Sequence, residues 1–339
     1  MNRLPMVRVG ALAAAAALTL TTLTSPAAAS QDDGYTFAVI GDIPYGDPAI
    51  ARFPANIAQI NADPAVRWVD HLGDIKNGSS VCSDDYFQRI KTDFDQFQDP
   101  LVYAIGDNEW TDCHRPNNGP YNPLERLAKV RQVFFPKPGR TLGQRAVRVD
   151  SQADWGLPEN VRWDAAGVGF AAVHIVGSNN SLAPWTGNTA PTPEQAAEVL
   201  SRTTGAIAHI HDTFADARKA HRRAVVLLTQ ADMFDPTVTN PSFADYYAFQ
   251  PILAALVREA GAFKGQVYLF NGDSHVFHVD QPLAAGSSWL AFYGITQPTT
   301  NLTRITVDGS SNANDYLRVT VNHRGPQALT WTKVPFTAV

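Results

Sequence analysis

The chain has 339 residues, of which 45% are hydrophobic and 17% are charged, and its formal net charge at pH 7 is -5. This composition predicts an ordinary globular protein with a buried core. Because the net charge is negative and no run rich in Lys or Arg follows residue 30, the sequence argues against a nucleic-acid surface.

The first 30 residues have the pattern of a secretory signal peptide. A basic start is followed by the apolar stretch ALAAAAALTLTTLTS, which is too short and too rich in Thr to span a bilayer, and then by the small residues PAAAS. A buried N-terminal helix is the alternative, but the segment has no amphipathic period. We therefore predict a signal peptide at 1–30, a secreted mature chain at 31–339 that folds as a single domain, and no transmembrane segment after cleavage.

Strands and helices are predicted to alternate through most of the mature chain. Apolar or β-rich runs that end in Gly or polar residues predict strands at 35–41, 66–73, 101–106, 168–177, 224–230 and 265–272. Helical periods lie between them at 48–62, 84–97, 124–135, 192–221 and 247–261. This alternation predicts a layered α/β fold whose functional loops leave the C-terminal ends of the strands.

The sequence changes character after residue 286. Four further segments predict successive strands with turns between them, at 287–295, 302–309, 315–325 and 328–334. We expect these strands to form a second sheet or meander that completes the core.

The chain contains two cysteines, Cys82 and Cys113. Each follows a Gly-Asp stretch, and an oxidising compartment outside the cell would let them pair. We predict a disulfide that joins these two loops; two unpaired buried thiols are the alternative.

Four apolar segments end in Gly-Asp, which places a carboxylate directly after a strand at Asp42, Asp74, Asp107 and Asp273. A single Gly-Asp is more often a turn or a helix N-cap, but four copies after apolar runs indicate a cluster. Converging carboxylates repel each other unless a positive charge lies between them. Two divalent cations would balance four ionised aspartates, so the sequence predicts a binuclear metal site.

The order of these motifs resembles that of the calcineurin-like metallophosphoesterases, which include the purple acid phosphatases. The corresponding stretches are GDIPYG, GDIKN, GDNEW, LLTQAD and GDSH, from Ile40 to His275. The resemblance implies a four-layer α/ββ/α sandwich with two mixed β-sheets, the metallo-dependent phosphatase-like fold. Several of the family's ligand positions carry other residues here, namely Pro44, Asn77, Asp107 with Asn108, Gln230 and Asp273.

Transferred position by position, the resemblance implies a set of metal ligands. Asp42 and His275, helped by Asn77, would hold one ion, and Asp74 would bridge to the second. The second ion would be held by Asp107, Gln230 and Asp273. Because most of these ligands are oxygen atoms, we expect two divalent ions of the hard type, Mg²⁺, Mn²⁺ or Ca²⁺, rather than iron or zinc.

The resemblance also implies a reaction, the hydrolysis of phosphoric esters by a hydroxide that bridges the two metals. Asn108 replaces the histidine that assists the leaving group in the family, so Glu109 and His114 are further candidates for that role. We expect a small phosphorylated substrate and a monomeric protein. The alternatives are a non-catalytic, metal-stabilised binding protein of the same fold and a secreted interaction module that uses the C-terminal sheet.

Overall fold

Two mixed β-sheets pack face to face in the computed structural model, which describes residues 1–2 and 34–337. Aromatic side chains meet between the sheets, where the ring of Phe37 lies 5.5 Å from that of Phe170 and 6.1 Å from that of Phe270. Helices cover the outer face of each sheet. The predicted four-layer α/ββ/α sandwich is therefore confirmed, and the described residues from Gly34 onward form one compact unit.

Twelve strands make up the two sheets in the part of the chain that the structure describes. They are β1 Thr36–Ile40, β2 Val66–His71, β3 Leu101–Tyr103, β4 Asp150–Gln152, β5 Leu157–Ala165, β6 Val168–Ala172, β7 Ala224–Leu228, β8 Gln266–Asn271, β9 His278–Asp280, β10 Leu302–Thr306, β11 Asp315–Val321 and β12 Leu329–Pro335. The first sheet has the order β12-β11-β1-β2-β3, and the second has the order β4-β5-β6-β7-β8-β10-β9.

The helices are α1 Gly46–Ala62, α2 Asp84–Phe94, α3 Pro123–Phe134, α4 Gly177–Asn180, α5 Pro193–Lys219, α6 Gln250–Ala262 and α7 Ser288–Tyr293. Of these, α4 is a single turn whose backbone is left-handed from Ser178 onward. Short 3-10 segments lie at Thr111–His114, Pro116–Asn118, Ala153–Trp155, Phe243–Asp245, Tyr247–Phe249 and Ser310–Asn312. Helices α1, α2 and α3 contribute to the core outside the five-stranded sheet, and α5, α6 and α7 contribute to the core outside the seven-stranded sheet.

Parallel pairing determines where the functional loops lie. Strands β1, β2 and β3 are parallel neighbours in one sheet, and β6, β7, β8 and β10 are parallel neighbours in the other. The carboxyl ends of parallel neighbours lie at the same edge of a sheet. The loops after these strands therefore come together at that edge.

The C-terminal part of the chain differs from the prediction in two respects. Residues 287–295 were expected to form a strand, but α7 lies there, because Ser287 caps its first turn by accepting a hydrogen bond from the backbone of Trp289 and Gly294 ends it with a φ of 67°. The four segments also do not form one separate sheet, although β11 and β12 pair as the antiparallel neighbours that a meander requires. Strand β10 pairs in parallel with β8, whereas β11 and β12 extend the first sheet beside β1.

The predicted disulfide between Cys82 and Cys113 is confirmed, with the two Cα atoms 5.9 Å apart. It joins the loop after β2 to the 3-10 segment that follows β3. Residues 3–30 of the predicted signal peptide lie outside the described residues. Among the described helices, none is both long and apolar enough to cross a membrane.

Candidate metal centre

Carboxylates from both sheets meet at the edge where the parallel strands end. Asp42, Asp74 and His275 offer three ligand atoms that lie within 4.8 Å of one another. Asp74, Asp107 and Asp273 offer a second such group. Asp74 belongs to both groups, so the two candidate sites share one carboxylate.

Strand ends place these side chains. Asp42 follows β1, Asp74 follows β2 and Asp107 follows β3, whereas Asp273 and His275 follow β8 of the other sheet. Four of the five have a left-handed backbone, with φ values of 52°, 54°, 73° and 63° at Asp42, Asp74, Asp273 and His275. Residues other than glycine adopt this conformation at a cost of about 1 to 3 kcal/mol, and such strain concentrates at functional sites.

Glycines bring the backbone of neighbouring segments close to the carboxylates. A Cβ atom at Gly177 would lie 2.7 Å from Asp107 Oδ2 and 3.0 Å from Asp273 Oδ2. A Cβ atom at Gly272 would overlap the carboxylate of Asp42. These positions therefore have no room for a side chain while the carboxylates remain in place.

We expect Gly272→Ala to lower the affinity for divalent cations at least tenfold, because the added methyl group displaces the Asp42 carboxylate. Calorimetric titration of Mg²⁺ or Mn²⁺ into both proteins measures the change. Gly261→Ala is the matched control, since a Cβ atom there meets nothing within 4 Å and alanine favours a helix over glycine. Equal affinity in Gly272→Ala and the unaltered protein would contradict the described packing around Asp42.

Neutral donors surround the shared carboxylate of Asp74. Its Oδ2 accepts hydrogen bonds from the Tyr45 hydroxyl at 3.0 Å, from Asn108 Nδ2 at 2.7 Å and from Gln230 Nε2 at 3.3 Å. Its Oδ1 accepts a hydrogen bond from the backbone N–H of Asn108 at 3.1 Å. The chain thus fixes the orientation of this carboxylate through its own donors.

The electrostatics of the cluster favour a bound cation. Burial, followed by the charges of Asp107, Glu109, Asp42 and Asp273, raises the pKa of Asp74 well above its usual range. Burial and neighbouring carboxylates raise the pKa of Asp273 in the same way. A positive ion between these groups would remove the repulsion and restore their ionised forms.

The amine of Lys76 is buried close to the carboxylate cluster. Its side chain is fully buried, and Nζ donates hydrogen bonds to the backbone oxygens of Asn77 at 2.9 Å and Asn108 at 2.8 Å. Burial lowers the pKa of Lys76 to about 8. This contact ties the loop after β2 to the loop that carries Asn108.

A left-handed turn borders the cluster on the side of the second sheet. Its residues Ser178, Asn179, Asn180 and Ser181 all have a positive φ, between 51° and 67°. The Oγ atom of Ser178 lies 2.9 Å from both Asp107 Oδ2 and Asp112 Oδ1, so its single proton is shared between these two carboxylates. The turn therefore positions one of the candidate ligands.

The structure places most of the sequence-predicted ligands in this cluster. Asp42, Asp74, Asp107, Asp273 and His275 form the two ligand groups, and Gln230 contacts both Asp74 and Asp107 through Nε2. Gln230 Oε1 accepts a hydrogen bond from the backbone of Gly177 at 2.7 Å. As a ligand, Gln230 would have to exchange this bond for a bond to the ion.

Asn77 does not join the cluster. Its side-chain oxygen accepts hydrogen bonds from the backbone and hydroxyl of Ser79 and from the hydroxyl of Ser80, at 2.9 to 3.0 Å. The oxygen that was expected to reach a metal is thus used within its own loop.

Two of the three residues suggested for the leaving group bond to partners outside the ligand groups. Glu109 is fully buried, and its Oε1 accepts hydrogen bonds from the Tyr103 hydroxyl and the Gly106 backbone, at 2.5 and 2.6 Å. His114 is bonded through Nδ1 to the backbone N–H of Thr186, at 2.9 Å. Both side chains are thus engaged by partners outside the two ligand groups, whereas Asn108 donates a hydrogen bond to Asp74.

The donor set fits two divalent cations. Each group offers three ligand atoms within reach of a single ion, and all of them are carboxylate oxygens except the imidazole of His275. Oxygen-rich sets suit hard cations such as Mg²⁺, Mn²⁺ and Ca²⁺. A carboxylate shared between the groups is the arrangement that a pair of ions about 3.5 to 4 Å apart requires.

Sequence reasoning did not single out Ser178, Asp112 or Lys76 as parts of this site. Ser178 lies in the stretch GSNNS directly after an apolar strand, and this turn-like composition at a strand end is a signal that could have identified it. Lys76 and Asp112 carry no comparable signal, since only the folded chain brings them beside the cluster.

No protein-family model matches the chain, and no curated protein sequence matches it. Among solved structures, one that is similar is GAP50, the anchor in the inner membrane complex of Plasmodium, at 10% identity over 89% of each chain with a TM-score of 0.44. Another is the purple acid phosphatase PPD1 from yellow lupin (Lupinus luteus) seeds, at 11% identity over 89% of this chain and 53% of that chain, with a TM-score of 0.41. The present chain thus spans about half the length of the lupin protein.

Proposed function

We propose that the chain is a metal-dependent phosphoric ester hydrolase. The observation that carries this proposal is the position of Asp74, which belongs to two ligand groups at once and so provides for two neighbouring cations. Paired divalent ions supply an activated water and neutralise the charge that develops on the phosphoryl oxygens. A small phosphorylated molecule is the substrate class that such a centre accepts.

The chain's own residues would orient the reacting groups. Asp74 is held in place by the donors of Tyr45 and Asn108, and Asp107 by the hydroxyl of Ser178. Burial and the nearby carboxylates raise the pKa of Tyr45, so its hydroxyl keeps its proton at neutral pH. Tyr45 and Asn108 would therefore act as neutral hydrogen-bond donors at the cluster, and an amide cannot give up a proton to a leaving group.

The same donors favour a second candidate function, a non-catalytic protein that a metal stabilises. Asp74 already accepts four hydrogen bonds from Tyr45, Asn108 and Gln230, which partly compensate its charge. His275 lies beside Asp74, but as a candidate ligand it would not be free to protonate a leaving group. In this second function the ions would serve the fold and the binding of a ligand.

Elemental analysis of the purified protein, combined with assays of phosphomonoesters and phosphodiesters in Mg²⁺, Mn²⁺ and Ca²⁺, separates the two functions. Two bound ions with turnover support the hydrolase. Bound ions without turnover of any ester support the non-catalytic protein. A protein that binds no divalent ion under any of these conditions would contradict both.

Further aspects of the proposal concern where and in what form the protein acts. We propose that it is exported as a single mature domain after removal of residues 1–30 and that it works as a monomer. The disulfide between Cys82 and Cys113 supports export, because such bonds persist mainly in oxidising compartments. Mass measurement of the protein recovered from the culture medium tests the cleavage, and light scattering tests the monomer.

We expect divalent cations to stabilise the protein more at pH 7 than at pH 4. The pKa values of Asp74 and Asp273 are raised in the metal-free fold, so protonation of these two groups stabilises the folded state. This stabilisation is fully present at pH values below the pKa that the groups have in the unfolded chain. It is lost as the pH rises above about 4, and the metal-free protein becomes less stable. Bound ions reverse this loss by binding only the folded state. Melting temperatures with Mg²⁺ and with chelator at both pH values measure the effect; an equal gap at both would contradict the cluster.

A further inference from the structure

A cavity of about 460 Å³ opens directly beside the second ligand group. Asp273, one of the candidate ligands, lines it together with Gly177 and Ser178 of the left-handed turn. The cavity is also lined by Asp235, Ala244, Asp245, Tyr246, Tyr247 and Phe249. A phosphate ester whose phosphoryl group lies at the cluster would therefore extend its organic part into this cavity.

Every charged residue that lines the cavity is acidic. Asp232, Asp235, Asp245 and Asp273 all line it, and none of its described lining residues is basic. Asp232 is paired with the buried guanidinium of Arg304 at 2.6 Å, and Asp273 belongs to the metal cluster. Asp245 is exposed and has no ion pair among the described residues. Asp235 and Asp245 therefore leave negative charge facing the cavity.

Three aromatic residues, Tyr246, Tyr247 and Phe249, also line the cavity, and of these Phe249 is almost fully buried. Tyr246 lies against Phe249, with ring centroids 6.1 Å apart, and against Phe292 and Trp289. Burial raises the pKa of Tyr246, and the charges of the four lining aspartates raise it further. The tyrosine hydroxyl thus lies in the combined field of all four carboxylates.

Aromatic faces combined with carboxylates are the chemistry that recognises an organic ammonium group. The ring faces attract a cation, and the carboxylates supply the opposite charge without offering the directional donors that an anion or a neutral sugar would need. An anionic organic group would be repelled by the same wall. A wall of this kind would favour a cationic organic group over an anionic one on the same phosphoryl group.

We propose that this cavity binds the ammonium-bearing alcohol part of the substrate, so that the enzyme prefers phosphate esters of amino alcohols. This inference rests on the proposed hydrolase function. In the reaction, water adds across the ester P–O bond, its oxygen going to phosphorus and a proton going to the released alcohol. With phosphocholine as substrate, the products are choline and inorganic phosphate.

Binding of choline alone tests the cavity without depending on turnover. We expect calorimetric titration of the Mg²⁺-loaded mature protein to show that choline binds at least tenfold more tightly than 3,3-dimethyl-1-butanol, its neutral isostere. Asp245→Asn should weaken choline binding about tenfold, equivalent to about 1.4 kcal/mol, and Tyr247→Leu should weaken it to a similar extent. Asp154→Asn, at an exposed position outside the cavity, should leave it unchanged. Thermal melting of each variant verifies that it is folded.

Kinetic measurements then separate the cavity from the proposed reaction. We expect kcat/KM for phosphocholine to exceed that for 3,3-dimethylbutyl phosphate at least tenfold, and Asp245→Asn to remove most of this preference. Hydrolysis of both esters at equal rates, with no binding of choline, overturns the cation site and leaves the hydrolase intact. Choline binding without hydrolysis of any ester overturns the hydrolase, and with it the substrate assignment. Equal binding of choline and its neutral isostere overturns the role of the carboxylates.

Discussion

Asp74→Asn is expected to reduce bound metal from two ions to one or none and to abolish ester hydrolysis. Asp74 is the carboxylate that both ligand groups share. Its loss would remove the negative charge that offsets the repulsion between the two ions. At a spacing of about 3.5 to 4 Å, the repulsion between two divalent ions is large at any dielectric constant found in proteins. The substitution preserves the size of the side chain and removes its charge.

Metal content by elemental analysis and turnover of a phosphomonoester measure the effect in the same preparation. Asp85→Asn is the matched control, because Asp85 is an exposed residue in the first turn of α2. It should keep both the metal and any activity. If Asp74→Asn retains two ions and full turnover, Asp74 is not a bridge and the proposed centre is wrong. If the ions are lost while the unaltered protein never showed turnover, the non-catalytic function is supported.

Removal of the disulfide is expected to lower the free energy of unfolding by about 3 to 4 kcal/mol. The bond closes a loop with a sequence separation of 31 residues, and a crosslink of this span restricts the unfolded chain by roughly that amount. Both sulfur atoms are fully buried, so serines at these positions also place hydroxyls in an apolar region. Urea unfolding of the Cys82→Ser/Cys113→Ser protein, followed by circular dichroism, measures the change.

A reducing agent provides the internal control for this measurement. It should lower the unfolding midpoint of the unaltered protein and leave that of the double variant unchanged. An identical midpoint for both proteins under oxidising conditions would show that the bond adds no stability. Because the bond ties the loop after β2 to the loop after β3, the double variant should also bind divalent ions more weakly than the unaltered protein.

The strands that precede residue 286 could largely be predicted, because strands buried on both faces are nearly continuous apolar runs. Strands β4, β5 and β9 were missed, since two of them have three residues and all three carry polar side chains at or near a sheet edge.

Residues 287–295 are rich in aromatic residues, which favoured a strand. The cap at Ser287 and the helical spacing of Trp289, Phe292 and Tyr293, which pack with the core around α5 and α6, outweighed that preference.

The carboxylates of the site could be predicted because their positions depend on strand ends, which the sequence shows. The roles of Asn77, Glu109 and His114 could not, because they depend on where a side chain turns within a loop. The oxygen of Asn77 is used by its neighbours Ser79 and Ser80, and Glu109 turns inward to the hydroxyl of Tyr103. Similarly, nothing local indicates that Asp235 and Asp245 face the same cavity.

The left-handed turn at 177–181 also bears on the order in which the chain folds. Each of its four residues with positive φ costs about 1 to 2 kcal/mol in isolation, so the turn cannot form early from local preference. Its stabilising partners are distant in sequence: Asn179 bonds to Ala248 across 69 residues, and Ser178 bonds to Asp107 across 71 residues. We therefore expect the turn, and with it the alignment of Asp107, to form only after the two sheets have docked. In a chain whose two sheets have not yet docked, His275 and Asp273 would lie apart from the three aspartates of the first sheet. Both ligand groups would therefore be complete only in the finished fold.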